Sequence, residues 1–223
     1  MNNFNTFFDQ FPTTSVQKGE VILQQNYVPH HAYVLKSGFV KVTSFTNNGE
    51  EKSVAFKVAG DLIPIYWIFG KSHAALYYYQ AHTDCVLYVL DRDDILQHVD
   101  GNHDFAKFVL DQQVIAHVNR ELRVEALEQS RAHLKLLYTF RHLALIYGVD
   151  MKKGMVKITI PLTQQELANF VGLTRETTIA ALGKLRRDNI VRCDHRYYTV
   201  NTPRLREATE DDYDPGIMNI GRR

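Results

Sequence analysis

Cysteine is scarce in this 223-residue chain: Cys85 and Cys193 are the two present, they lie in different halves, and neither belongs to a CxxC pair or a His-rich ligand run. Four thiolates for an iron–sulfur cluster are therefore missing. In a reducing compartment the two cysteines stay unbridged, and each reads as a small, half-buried apolar residue. No apolar run approaches the roughly 18 residues of a membrane span. The opening MNNFNTFFDQFP lacks a basic stretch followed by an apolar one. A cytoplasmic chain with no membrane partner is expected. Phosphate-binding glycine loops and nucleophile–base patterns are missing as well, and no cofactor is expected.

Excess charge is also small, at +1 overall, but it is unevenly placed. Residues 131–207 hold 14 Lys and Arg against 6 Asp and Glu, residues 1–130 hold 10 against 15, and residues 208–223 carry a net −2. A basic segment on an otherwise acidic chain is the footprint of a domain that meets a polyanion; a solvated charged surface is the plainer alternative. The length suits two domains of about 100 residues each.

From Ser15 to about Leu96, short β-branched and aromatic runs (VILQQ, AYVLKSG, FVKVTSF, KSVAFKV, QAHTDCVLYVL) alternate with turn residues, as in an antiparallel barrel or jelly roll. Asn47-Asn48-Gly49-Glu50 reads as a hairpin turn, and Gly38 and Gly60 as further turns. After Gly101 the period changes to about 3.6. Phe105, Phe108, Ile115, Val118, Leu122 and Ala126 form one stripe on a helix of roughly 25 residues. Such a seam wants a partner, and the simplest is the same helix of a second copy. Phe108, Ile115, Val118, Leu122 and Ala126 are the candidate dimerisation residues, while the Phe105 end is compatible with packing on the barrel.

A second helix is expected over Ser130 to Tyr147, with Leu134, Leu137, Phe140, Leu143 and Leu145 available to a core and Gly148 at its end. VKITIPLT reads as a strand and VRCDHRYYTVN as a hairpin. Between them, in LTQQELANFVGLTRETTIAALGKLRRDNIV, Thr163-Gln164-Gln165-Glu166 fits a capping box. Gly172 permits the left-handed residue that ends a short helix, and Thr174 caps the next. Leu167, Ala168 and Val171 face the core in the first helix; Ile179, Leu182 and Leu185 are expected to hold the second. The fold class expected is α+β: a β-roll, barrel or jelly roll in outline, over 1–102, a dimerisation helix over 103–130, a winged helix-turn-helix over 131–207 and a tail over 208–223.

Two helices set steeply by a glycine turn let the first turn of the second enter a DNA major groove. Arg175 can donate two parallel bonds to guanine O6 and N7, and Glu176 can accept from cytosine N4, so the pair suits a G·C-containing step. Thr163, Gln165, Thr174 and Thr177 are placed for phosphate oxygens, with Lys184, Arg186, Arg187, Arg192 and Arg196 adding charge.

At these residues the sequence resembles the Crp/Fnr superfamily of bacterial transcription regulators, and the order of β-roll, long helix and winged domain extends the likeness to almost the whole chain. The resemblance implies a homodimer, two recognition helices on double-stranded DNA bearing an inverted repeat, and a β-roll that senses a small-molecule effector or contacts RNA polymerase. By position it gives Arg175 and Glu176 to base reading, Thr163, Gln165, Thr174 and Thr177 to phosphates, and His195 and Arg196 to the wing contact. Ala180 departs from it, standing where many relatives place a second base-reading arginine; its methyl group can meet a thymine methyl instead.

The sensor departs further. Ile65 stands where cyclic-nucleotide-binding relatives carry the ribose-binding glutamate, and Ala75-Leu76 where they carry the phosphate-binding Arg-Ser pair. A cyclic phosphate would meet neither cation nor hydroxyl there, so control by cyclic nucleotides is not expected. Tyr66, Tyr77, Tyr78 and Tyr79 join Ile65, Ala75 and Leu76 in a candidate pocket for an apolar or aromatic effector, with rings that simply fill the barrel as the alternative. Two other readings compete: a DNA-binding dimer with an inactive sensor, and a cupin-type metal-dependent enzyme. Against the enzyme, adjacent His30 and His31 point to opposite faces of a strand, and no further ligand follows at a suitable spacing.

Overall fold

Period-two alternation along the first 90 residues makes strands whose two faces serve different cores. The computed structural model describes residues 7–46, 48–49 and 51–209, and the chain divides into two units, 1–113 and 114–223. In the first unit run β1 (Thr13–Val16), β2 (Val21–Leu23), β3 (Ala32–Ser37), β4 (Val40–Phe45), β5 (Glu51–Lys57), β6 (Leu62–Ile63), a helical turn α1 (Ile65–Ile68), β7 (Tyr78–Ala81) and β8 (Cys85–Leu90). Among the described residues they form two antiparallel four-stranded sheets, ordered β1-β8-β3-β6 and β2-β7-β4-β5.

Ala32 and Val34 of β3 and Tyr88 and Leu90 of β8 pack with Phe8, Ile95 and Phe105. Leu35, Cys85 and Leu87 of the same two strands turn the other way, toward Val40, Val42, Tyr79 and Ala81. Cys85 is thus a buried apolar residue, and burial pushes its thiol pKa up. β4 and β5 form the expected hairpin, in which the Gly49 amide donates to the Thr46 carbonyl at 2.9 Å; Asn47 and Glu50 lie outside the described residues. Most of the 208–223 tail, from residue 210, lies outside them too.

Helices α2 (Arg92–Gly101) and α3 (His103–Glu128) follow, and α3 has the length its long apolar stripe implies, 26 residues. Phe105 and Val109 are buried in the first unit's core, and Phe108 packs half-buried against it. Along the rest of α3, Ile115 and Val118 are half-buried, whereas Leu122 and Ala126 are buried in their own chain at 8% and 2% exposure. Leu110, Val114 and Val124 are the open positions, at 62%, 54% and 55%. Leu122 and Ala126, expected on the dimer face, are thus enclosed by their own chain, and the apolar side chains left open on α3 lie at other positions.

The second unit continues with α4 (Ala132–Tyr147), β9 (Gly148–Asp150), β10 (Met155–Ile158), α5 (Gln164–Val171), α6 (Arg175–Arg187), β11 (Val191–Asp194), β12 (Tyr197–Asn201) and α7 (Thr202–Thr209). Its antiparallel sheet runs β11-β12-β10-β9. VKITIPLT is a strand only to Ile158, and Ile160 and Leu162 are buried in the segment beyond it. Helix α4 is buried on nearly every side, with Leu136, Phe140 and Leu143 fully enclosed. Gly148 ends it with an ordinary extended backbone (φ −90°); the glycine is needed because a Cβ there would collide with the Ala144 carbonyl oxygen.

Among the polar side chains buried on α4, His142 is the most enclosed. His142 is 1% exposed, its Nε2 lies 2.5 Å from Asn119 Oδ1, and the Asn119 amide nitrogen donates to the Tyr147 hydroxyl at 2.9 Å. Because that asparagine oxygen can only accept, Nε2 carries the imidazole proton. Burial, aided by the charges of Arg123 and Arg141, lowers the His142 pKa from 6.5 to about 3. The unfolded chain therefore takes up this proton first as pH falls. His142 costs nothing above about pH 6.5, and it removes stability between there and about pH 3, at roughly 1.4 kcal/mol per pH unit. Urea unfolding at pH 7.5 and pH 5 checks this: the wild type is expected to lose about 2 kcal/mol more than His142→Phe over that interval.

Candidate nucleic-acid interface

Helix α5 begins where Thr163 Oγ1 accepts from the Glu166 amide at 3.1 Å while the Thr163 amide donates to Glu166 Oε2 at 2.7 Å, so both members of the capping box are engaged. It ends at Gly172, whose φ of 72° is the left-handed conformation that a side chain disfavours. Thr174 then caps α6, accepting from the Thr177 amide at 3.2 Å. Only three residues, Gly172, Leu173 and Thr174, separate α5 from α6, and the backbone between them is closed by the Gly172 and Leu173 amides, which both donate to the Ala168 carbonyl.

That turn leaves one face of α6 open. Arg175, Glu176, Thr177, Ile179, Ala180, Lys184, Arg186 and Arg187 are exposed, while Thr178, Ala181, Leu182 and Leu185 are buried. Ile179 is thus a correction: it was expected to hold the helix to the domain and is instead 41% exposed. Thr178 occupies the core position at 0% exposure, its hydroxyl donating to the Thr174 carbonyl at 2.9 Å, so that its polar group is satisfied within the helix.

The wing is the β11–β12 hairpin. His195 makes its turn with a φ of 52°, and the Arg196 carbonyl accepts from the Leu162 amide at 2.8 Å, which fastens the wing beside the start of α5. A depression of about 600 Å³ results, lined by Thr163, Gln164, Gln165, Arg175, Arg186, Cys193, His195 and Arg196. Three guanidinium groups and an imidazole thus share one concavity with two amide side chains, a donor-rich set suited to phosphate oxygens. The sequence assigns Arg186 only to added charge and gives Cys193 no place on this face; the alternation of the hairpin is the signal that points Cys193 here.

The phosphate candidates differ in what they have left to give. The Thr163 hydroxyl donates back to Glu166 Oε2 at 2.7 Å, which commits its proton. The Thr174 and Thr177 hydroxyls share one hydrogen bond of 2.9 Å, so one of the two protons is free to turn outward. Gln165 is exposed, with its amide nitrogen resting on Asn169 Oδ1 at 2.9 Å. The His195 side chain is 93% exposed.

The candidate effector residues are split among different surroundings in the first unit. Ala75 and Tyr79 belong to the barrel core, with Tyr77 packed beside them. Ile65 packs against the other cluster, Tyr78 is half-buried, and Tyr66 and Leu76 are exposed at 36% and 41%. Among the described residues no helix is long and apolar enough to cross a membrane.

Comparison with known proteins agrees with this layout. Residues 13–102 match the family model of the cyclic nucleotide-binding domain, and residues 134–208 that of the Crp-like helix-turn-helix domain. Regulatory protein HlyX of Actinobacillus pleuropneumoniae is 24% identical over 199 residues, covering 87% of this chain and 79% of its own. The fumarate and nitrate reduction regulatory protein of Vibrio cholerae is 24% identical over 195 residues, covering 83% and 73%. The fold is also that of a CooA mutant from Carboxydothermus hydrogenoformans, at a TM-score of 0.75 and 19% identity over 94% of this chain and 92% of that one. The β-roll, the winged helix-turn-helix and these relatives place the chain in the Crp/Fnr superfamily of bacterial transcription regulators, DNA-binding proteins and not enzymes.

Proposed function

We propose that the protein works as a homodimer whose two α6 helices read the half-sites of an inverted repeat in double-stranded DNA, and that cyclic nucleotides do not control it. The observation that carries the DNA reading is the concavity in which Arg175, Arg186, His195 and Arg196 meet Thr163 and Gln165 beside the exposed first turn of α6. Arg175, Glu176 and Ala180 face the base edges, with the free proton of the Thr174–Thr177 pair, Gln165 and the wing residues His195 and Arg196 on the flanking phosphates. Thr163 contributes by capping α5 and so fixing the amide end that faces the backbone. Genomic footprinting tests this: protected sites should be inverted repeats with half-site centres about one helical turn apart. Protection without sequence preference would refute it.

The dimer is proposed through the open face of α3. Val114, His117, Glu121 and Val124 follow one another at intervals of three, four and three residues, a coiled-coil seam, and the exposed valines flank the His117–Glu121 pair (3.0 Å). Half-buried Ile115 and Val118 border this face. RNA polymerase remains a partner proposed from the family, as does an effector of unassigned chemistry.

Independence from cyclic nucleotides rests on Ile65, Ala75 and Leu76, which offer a phosphoribose neither acceptor, cation nor hydroxyl. A ligand at about a hundred times its Kd stabilises the native state by roughly 2.7 kcal/mol. Thermal melting with millimolar cyclic AMP or cyclic GMP is expected to show no shift, and DNA affinity no change; a rise in both would overturn this part of the proposal.

A further inference from the structure

Exposed apolar side chains are out of place on a helix that meets only water and phosphates, and α6 carries one at its centre. Ile179 is 41% exposed, one turn after Arg175, and Ala180 and the half-buried Gly183 adjoin it on the open face. The buried side of α6 is already complete: Thr178, Ala181, Leu182 and Leu185 lie at spacings of three, one and three, and the Ile179 side chain is not needed there. A Cβ placed on Gly183 would find only an Arg187 guanidinium nitrogen, at 3.6 Å, so the helix surface beside Ile179 is shallow and lets another surface come close. This patch offers no donor or acceptor to a base edge. What an apolar patch can recognise in the major groove is the one apolar group displayed there, the C5-methyl of a pyrimidine.

We propose that Ile179 is a specificity-determining residue that buries a thymine C5-methyl group in each half-site, next to the G·C-containing step read by Arg175 and Glu176, with Ala180 widening the same apolar contact. This rests on the DNA reading of the same face and names the base that the apolar part of the helix selects. A cytosine at that position lacks the methyl group and presents an N4 amino donor where thymine presents the O4 acceptor, so its edge differs in both respects. 5-Methylcytosine shares the methyl group but keeps that donor, which separates recognition of thymine from recognition of the methyl alone.

The test uses the full-length dimer and duplexes recovered by selection from a randomised pool. In the selected half-site each thymine is replaced in turn by deoxyuridine, which deletes only the methyl group, and in a parallel series by 5-methylcytosine paired with guanine. At one position the wild type should bind the deoxyuridine duplex about fourfold more weakly per half-site, the factor given by one methyl returned to water. Ile179→Ala should bind thymine and deoxyuridine duplexes alike at that position; because the residue is exposed and alanine favours helix, the variant should fold as the wild type does. It should keep the Arg175-dependent preference for the neighbouring guanine. Deoxyuridine tolerated at every position, or discriminated equally by wild type and Ile179→Ala, overturns the role of Ile179 while leaving the DNA reading intact. The fourfold loss for deoxyuridine with none for 5-methylcytosine gives the role to the methyl group alone and overturns selection of thymine. If no duplex is enriched at all, the DNA reading itself fails and this inference with it.

Discussion

Arg175→Ala is expected to cost about 1–3 kcal/mol per half-site on the specific operator, hence roughly 2–6 kcal/mol on the complete inverted repeat, where the loss is incurred twice. Arg175 opens α6, is exposed and lines the concavity at the wing, so its guanidinium is carried by a helix rather than by a flexible loop, as the proposed base reading requires. Removing it should delete the proposed bidentate contact to guanine without opening the core, because the residues that hold α6 are Thr178, Ala181, Leu182 and Leu185. Fluorescence anisotropy on the operator and on random duplex should show the loss mainly on the operator, with discrimination at one guanine per half-site flattened. Arg196→Ala, on the wing, should weaken both duplexes alike and lower the slope of log affinity against log salt by about 1. Equal loss on both duplexes for Arg175→Ala would remove its assignment to base reading.

The paired change Val114→Glu with Val124→Glu is expected to give monomers and to lower operator affinity by about 10²–10⁴-fold, the gain that two linked half-site contacts have over one. Both valines are more than half exposed in the protomer, so the carboxylates burden no internal core, and across the proposed two-fold seam they would face like charges, Glu121 among them. Sedimentation at micromolar concentration and operator binding read the two consequences together. Leu122→Glu would not be an equivalent test, since Leu122 is buried at 8% exposure and its replacement would unfold the unit it serves.

The winged half was legible wherever structure is decided by local chemistry. Thr163 and Glu166 at a spacing of three, Gly172, and Thr174 ahead of Arg175 fix a start, a stop and a start, and each geometry follows from bonds within a few residues. Positions decided by packing were less legible. Thr178 and Ile179 are adjacent and β-branched, and the apolar one was assigned inward; the threonine takes the core because its hydroxyl can return to the Thr174 carbonyl. On α3 the same limit applies: Leu122 and Ala126 look alike in sequence whether they meet this chain's core, where they are buried, or a second copy. β9 escaped notice because Gly148–Asp150 offers one apolar residue and no alternation. His142 gave no sign of burial, since the groups that enclose it, Asn119, Tyr147 and Phe170, come from 23 residues before it, 5 after and 28 after.

The most direct measurement is a crystal structure of the dimer on a selected inverted-repeat duplex. The expected result is α6 in the major groove of each half-site, with Arg175 donating to guanine O6 and N7, Glu176 accepting from cytosine N4, and Arg196 and His195 at the flanking phosphates. Helix α6 lying outside the groove, or Arg175 and Glu176 touching only the sugar–phosphate backbone, would contradict it.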